Sequence, residues 1–164
     1  PVEAVTTMNN VAGEGEGDPT YRQVIEASRR ADRTTIADGI VAAAREIAET
    51  ADIRAICCFT QSGTTALLVA RERPGVSIVA LTPLVGTARR LCLTWGARCV
   101  LTGPVDRFKA AVLSATRVAR MLRIADERDF VVVTAGVPFN IPGTTNILRV
   151  APCDESQLYA ADSE

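Results

Sequence analysis

The stretch Ile53-Arg54-Ala55-Ile56-Cys57-Cys58-Phe59-Thr60-Gln61-Ser62-Gly63 decides the fold. An apolar run of this length, rich in strand formers and closed by a polar cluster, predicts a strand buried on both faces, as in a parallel sheet. The pattern repeats downstream. Thr64 to Arg71 predicts a helix, Arg73-Pro74-Gly75 a turn, and Val76 to Leu81 a second buried strand. A helix over Thr87 to Trp95, capped by Gly96, leads to a third strand at Cys99 to Leu101. A long helix from Val105 to Ile124 places Phe108, Val112, Ala115, Val118, Ala119 and Leu122 on one side, and strands follow at Phe130 to Thr134 and Asn146 to Val150. Before the opening strand, Ile36, Ile40, Ala43, Ala44 and Ile47 recur at helical spacing from a cap at Thr34 or Thr35 to about Thr50. Alternating strands and helices imply right-handed parallel crossovers. The predicted class is three-layer α/β/α with a five-stranded, mostly parallel sheet. The last connection, Ala135 to Thr145, carries Gly136, Pro138, Pro142 and Gly143 but no helical pattern, so the fifth strand is predicted antiparallel.

Composition narrows the chemistry. The 164 residues carry 18 basic and 19 acidic side chains, a formal charge of −1, which argues against binding nucleic acid by phosphate neutralisation. Hydrophobic residues make up 48% of the chain, yet no apolar run is long enough to span a bilayer. With no histidine, there is no Ser-His-Asp or Cys-His catalysis and no imidazole-ligated metal. Cys57, Cys58, Cys92, Cys99 and Cys153 include no C-x-x-C pair and read as reduced, mostly buried small hydrophobes, which suits a cytoplasmic protein. The start at Pro1 without methionine suggests that residues are missing upstream, and no targeting segment is seen.

At the amino end, Val2, Val5, Met8 and Val11 form an apolar stripe on a short helix, and Gly13 to Pro19 reads as an acidic, glycine-rich linker. Two loops lie where a parallel sheet binds ligands, beyond the carboxyl ends of its strands. The first, Thr60-Gln61-Ser62-Gly63-Thr64-Thr65, offers hydroxyls and free N–H groups at a helix amino terminus, a setting that favours phosphate, although the same residues also make an ordinary helix cap. It lacks the lysine and spacing of a nucleotide-hydrolysing loop. The second, Gly136-Val137-Pro138-Phe139-Asn140-Ile141-Pro142-Gly143-Thr144-Thr145-Asn146, follows the fourth strand on the same sheet edge. Neither has an acid, base or nucleophile beside it. Asp106 and Asp129 read as element borders, and Arg71, Arg73, Arg89 and Arg90 as solvated faces or anion partners. From the residues alone, a module binding a phosphorylated ligand is favoured over an enzyme.

Several of these motifs together, Cys58 to Ala66, Val69-Ala70-Arg71-Glu72-Arg73-Pro74, Ile78 to Pro83, Thr87-Ala88-Arg89-Arg90, Val131 to Gly136 and Gly143-Thr144-Thr145-Asn146, closely resemble the C-terminal domain of the pyruvate kinase family. The match in order and spacing covers roughly residues 35 to 150. Pro1 to Val5 with Met8 also resembles the last helix of that family's catalytic barrel. The resemblance implies two parts, residues 1–17 as a barrel-helix remnant with linker and residues 18–164 as the effector-binding domain. It implies a parent enzyme that passes a phosphoryl group from phosphoenolpyruvate to ADP with Mg2+ and K+, through catalytic and metal-binding residues in a barrel that these residues do not include. This chain alone is therefore expected to be inactive, with neither catalytic nor metal-binding residues. The resemblance further implies a cytoplasmic homotetramer in which this domain binds the effector, the effector phosphate held by Thr60 to Thr65 and covered by the loop from Gly136, Val137 and Pro138 to Gly143, Thr144 and Thr145. Gln61 and Thr64 stand where the fructose 1,6-bisphosphate-activated animal members carry lysine and arginine. A monophosphate, a sugar monophosphate or AMP, is thus the expected effector. The helix at 35–50 and the last strand are the expected subunit interface. The alternative is a stand-alone phosphometabolite-binding or oligomerisation module; a general nucleotide-binding domain is disfavoured because no glycine fingerprint follows a strand.

Overall fold

The structure, a computed structural model, describes residues 1–27, 35–139, 141 and 143–160. Thr34, Asn140 and Pro142, named above, lie outside the described residues. The chain divides into two compact units, Pro1–Arg33 and Thr34–Glu164.

In the first unit, α1 (Val2–Gly17) and α2 (Pro19–Ala27) are separated by Asp18. The expected break at Gly13 is not there: the helix continues through the Gly-Glu alternation to Gly17. The stop comes from Pro19, whose ring pushes the preceding residue out of the helical region. Asp18 is accordingly extended, at φ −70° and ψ 132°, and its carboxylate accepts the Thr20 N–H at 2.7 Å to start α2. Proline suits that first helical position, where its missing N–H costs nothing.

The second unit is a five-stranded sheet of order β3-β2-β1-β4-β5, built from β1 (Ile53–Phe59), β2 (Ser77–Thr82), β3 (Ala97–Leu101), β4 (Phe130–Gly136) and β5 (Thr145–Pro152). The first four strands run parallel, and β5 pairs antiparallel with β4. Helices α3 (Ile36–Thr50), α4 (Thr64–Arg71) and α5 (Val85–Leu91) pack on the face bearing Ile56, Cys58, Ile78, Ala80 and Val132. On the opposite face α6 (Phe108–Met121) covers Cys57, Val79, Leu81, Val131 and Val133 with Val112, Ala115 and Ala119. Successive strand residues thus feed two cores, which explains the unbroken apolar run from Ala55 to Phe59 in β1.

Local chemistry sets the ends of the helices. Thr35 and Asp38 form a reciprocal capping box at the start of α3: the Asp38 N–H donates to Thr35 Oγ1 at 3.1 Å and the Thr35 N–H to Asp38 Oδ2 at 3.1 Å. Helix α5 begins before Thr87 and stops at Leu91 rather than Trp95, because Thr94 N–H bonds back to Leu91 and the chain turns through Gly96 at φ +65°. Helix α6 ends where Arg123 takes a left-handed conformation and the Ile124 N–H closes on the Ala119 carbonyl at 3.0 Å. A short α7 (Glu155–Ala160), which the sequence pattern did not signal, follows β5.

The order of strands places the site. From β1 the chain winds outward to β2 and β3, then returns across the sheet to β4. The winding direction therefore reverses between β1 and β4, and the crevice at the carboxyl ends of these two strands is where an open α/β sheet takes its ligand. No helix among the described residues is long and apolar enough to cross a membrane.

Candidate functional site

The loop after β1 is fixed from within. Thr60 Oγ1, buried, accepts the Gly63 N–H at 2.8 Å, and Gly63 takes φ +87°, a conformation that favours glycine, as the residue before α4. Ser62 and Thr64 hydroxyls are 2.9 Å apart. Gly63 has no side chain with which to cap α4; Ser62 Oγ accepts the Thr64 N–H at 3.4 Å, and the other N–H groups of the first turn, without intrahelical acceptors, stand at the positive end of the helix dipole.

Helix α5 grips the same loop from behind. Thr87 Oγ1 donates to the Gln61 carbonyl at 2.6 Å, and the Arg90 guanidinium donates to the Ser62 carbonyl. With both carbonyls held by α5, the loop turns its N–H groups away from that helix. Sequence reasoning assigned Arg90 to a solvated face or an anion and gave Thr87 no role. The available signal was their spacing, since residues three apart on a helix share a face.

The second loop is tied to its own strand. The Val137 N–H donates to Asn146 Oδ1 at 2.9 Å, and Asn146 Nδ2 donates back to the Val137 carbonyl at 2.6 Å, around a cis Val137–Pro138 peptide. Thr144 Oγ1 donates to the Ile141 carbonyl at 2.8 Å. Gly136 packs against Thr144 so closely that a Cβ there would lie 2.5 Å from Thr144 Oγ1.

With Pro83 after β2 and Gly103, Pro104 and Val105 after β3, these loops line a small cavity of about 60 Å³, in which Thr60, Gln61, Ser62 and Thr65 face Gly136, Gly143, Thr144 and Thr145 and Leu81, Phe139 and Ile141 add apolar surface. The space suits one tetrahedral anion or a few water molecules. The rest of a larger ligand would extend outside it. Thr65 and Thr145 join the walls by a buried hydroxyl–hydroxyl bond. Of the residues expected at the site, Gly63, Thr64, Val137 and Pro138 do not line the cavity. Gly63 shapes the turn, Thr64 faces outward, and the Val137 backbone is held by Asn146. The lining described is wholly uncharged, so hydroxyls and backbone dipoles are what it offers an anion.

The surrounding charges are engaged elsewhere. Arg71 pairs with Asp38 at 2.5 Å, and the hydrogen bond from Thr35, with Arg71 beside it, holds the Asp38 carboxyl down at about 2. Arg73 stacks on the Trp95 ring, 4.3 Å from its centroid. Asp129 borders β4, accepting the Asp126 N–H at 2.7 Å and Arg54 Nε at 3.1 Å. Cys57, Cys58 and Cys153 are buried thiols, Cys99 is half-buried and Cys92 is exposed. Among the described residues no group of three or more Cys, Asp or Glu side chains is placed to hold a metal ion.

Residues 38–151 match the family model described as "Pyruvate kinase, alpha/beta domain". Over 151 residues the chain is 42% identical to a pyruvate kinase of Methylorubrum extorquens, covering 92% of this chain and 32% of that protein. A pyruvate kinase of Clostridium acetobutylicum is 35% identical over 153 residues, with coverage of 92% and 32%. The chain thus spans about a third of the length of these curated relatives. Among solved structures, a Cryptosporidium parvum pyruvate kinase superposes with a TM-score of 0.76 at 22% identity, over 92% of this chain and 30% of that one, a likeness of fold.

Proposed function

The chain belongs to the pyruvate kinase family through its α/β domain, and on that premise we propose that it is the effector-binding and oligomerisation part of a cytoplasmic enzyme that transfers a phosphoryl group from phosphoenolpyruvate to ADP. The observation that carries the effector role is the uncharged, hydroxyl-lined cavity between the loops after β1 and β4. In this reading a phosphate sits against Thr60, Gln61, Ser62 and Thr65, receiving hydrogen bonds from hydroxyls and from the first turn of α4, while Gly136 to Thr145 covers it. One phosphate is served by such a lining; a second would find no cation in it. The effector is therefore a sugar monophosphate or AMP rather than a bisphosphate.

Mg2+ and K+ belong, in this proposal, to the barrel; among the described residues no three Cys, Asp or Glu side chains are grouped to hold a metal ion. Residues 1–17 are assigned to the last barrel helix, which continues through the stretch expected to be its linker, with the exposed Val2, Val5, Met8 and Val11 as the surface the barrel covers. Residues 18–164 are assigned to the effector-binding domain. The outer edge of β5 and the surface of α3 are assigned to contact between subunits of a homotetramer.

Thermal shift of this chain against AMP, glucose 6-phosphate, ribose 5-phosphate and fructose 1,6-bisphosphate tests the reading. A ligand at about 100 times its Kd adds roughly 2.7 kcal/mol to stability. Stabilisation by a monophosphate, lost in the Ser62→Ala/Thr65→Ala variant, is the expected result. Equal stabilisation of that variant would remove the loop from the site. In a lactate dehydrogenase-coupled assay the chain alone is expected to show no turnover, and turnover would overturn its assignment as a non-catalytic part.

A further inference from the structure

A second cavity, of about 230 Å³, lies away from the phosphate cleft, where the amino-terminal half of α6 meets β5 and α7. Its chemistry is the reverse of the first. The floor is apolar, formed by Val112, Leu113 and Leu158, and the rim carries Arg107, Lys109 and Arg149. None of the described lining residues is a serine, threonine or acid. Arg149 reaches this face because the β4–β5 register sets it opposite Val133, whose side chain belongs to the α6 core. Arg107 immediately precedes α6 and Lys109 lies in its first turn, where the helix dipole adds to their positive potential.

Basic side chains often lay their stems over apolar surface and keep their heads in water. Here Val112 and Leu158 are buried, and the half-buried Leu113 is the part of the floor that a ligand can reach. Arg107 and Arg149 are in no ion pair among the described residues, whereas Arg117, further along α6, is tied to Glu155 by two bonds of 2.7 and 2.8 Å. An apolar pocket rimmed by guanidinium groups fits a ligand with an apolar body and one anionic end.

The geometry points to a second small-molecule site on this domain, taking a short-chain or single-ring carboxylate with its apolar part on Leu113 and Ala110, above the buried Val112 and Leu158, and its carboxylate on Arg107 and Arg149. A carboxylate fits better than a phosphate because the planar guanidinium fork matches it and the floor has no hydroxyl to donate to further oxygens. The volume, about eight water molecules' share of the liquid, limits the apolar part to a short chain or one ring.

Octanoate is the probe. Titration into the full chain, followed by calorimetry and by the methyl signals of leucine and valine, is expected to give saturable one-to-one binding with the largest shifts at Leu113 and Leu158. Octylamine, with the same chain and the opposite charge, is expected to give none. Arg107→Gln/Arg149→Gln should weaken octanoate at least tenfold. Leu113→Trp, which fills the pocket and leaves the charges in place, should abolish binding while the chain still melts cooperatively. Glucose 6-phosphate should not displace octanoate. Non-saturating shifts, equal binding of octylamine, undiminished binding by the double arginine variant or by Leu113→Trp, or displacement by the sugar phosphate would each overturn the proposal. Displacement would also place octanoate in the first cleft, which leaves the reading of that cleft standing.

Discussion

The side-chain oxygens of Thr65 and Thr145 lie 2.6 Å apart in a buried hydrogen bond between residues 80 positions apart in the chain. One hydroxyl belongs to the first turn of α4 and the other to the first residue of β5, so a single bond joins the two walls of the cavity. Removing either hydroxyl leaves its partner buried without this bond. Thr65→Val and Thr145→Val are each expected to cost about 1–3 kcal/mol in denaturant unfolding. The double variant should cost less than their sum, because the unsatisfied group goes with the second substitution. Strict additivity would mean that the bond contributes nothing.

Helix α5 orients the loop after β1 through two carbonyls. Thr87→Val should free the Gln61 carbonyl, and Arg90→Met the Ser62 carbonyl, each loosening the loop by about 1 kcal/mol or more. Both are expected to weaken binding of the monophosphate that stabilises the unaltered chain, although neither side chain lines the cavity. Arg90→Lys should restore part of the loss. Unaltered affinity in both variants would show that the loop keeps its shape unaided.

Two glycines of the loop after β4 should respond differently to alanine. At Gly136 the added Cβ would lie 2.5 Å from Thr144 Oγ1 and 2.9 Å from Thr144 backbone atoms, so the strand end or the loop must move. Gly136→Ala is expected to cost roughly 1–3 kcal/mol, as overpacking does. Gly143 has open space but φ +82°, and Gly143→Ala should cost about 1 kcal/mol from backbone strain alone. Equal costs in urea unfolding would contradict the close packing at Gly136.

Acid should weaken the start of α3. The Asp38 carboxyl is held at about 2 by its hydrogen bond from Thr35 and by Arg71, below its ordinary value of about 3.9. A depressed carboxyl contributes stability that is full above the unfolded value and is lost as pH falls through the folded one. The loss therefore falls between about pH 4 and pH 2. Asp38→Asn should lower Tm at pH 7 and converge with the unaltered chain near pH 2. Thr35→Ala, which removes the other half of the capping box, should cost about 1 kcal/mol at neutral pH.

Thiol reactivity should follow burial. Burial pushes the Cys58 thiol up to about 12 and Cys153 up to about 11, and raises Cys57 strongly as well. Cys92 is exposed. At pH 8, iodoacetamide followed by mass spectrometry should modify Cys92 first and leave Cys57, Cys58 and Cys153 untouched until the chain is unfolded. Prompt labelling of the three buried thiols would contradict the two-sided core.

Much of this fold is written locally. Continuous apolar runs marked β1, β2 and β4, because a strand covered on both faces has no polar side to show; β3, at the sheet edge, offered only Cys99-Val100-Leu101. The missing crossover helix between Gly136 and Thr145 marked β5 as antiparallel. The loops at 60–65 and 136–145 were legible as hydroxyl-rich segments at one sheet edge. The glycines at 13, 15 and 17 suggest a break that the chain does not make; α1 stops only where the Pro19 ring forbids the helix at Asp18. Tertiary structure alone decided which loop residues meet. Thr65 reaches Thr145 because β4 lies between β1 and β5 in a fixed register. Thr87 and Arg90 reach the Gln61 and Ser62 carbonyls because β1 and β2 pair side by side and bring α5 behind the loop. Periodicity reports which face of an element is apolar; partners far apart in sequence are chosen by strand order and register.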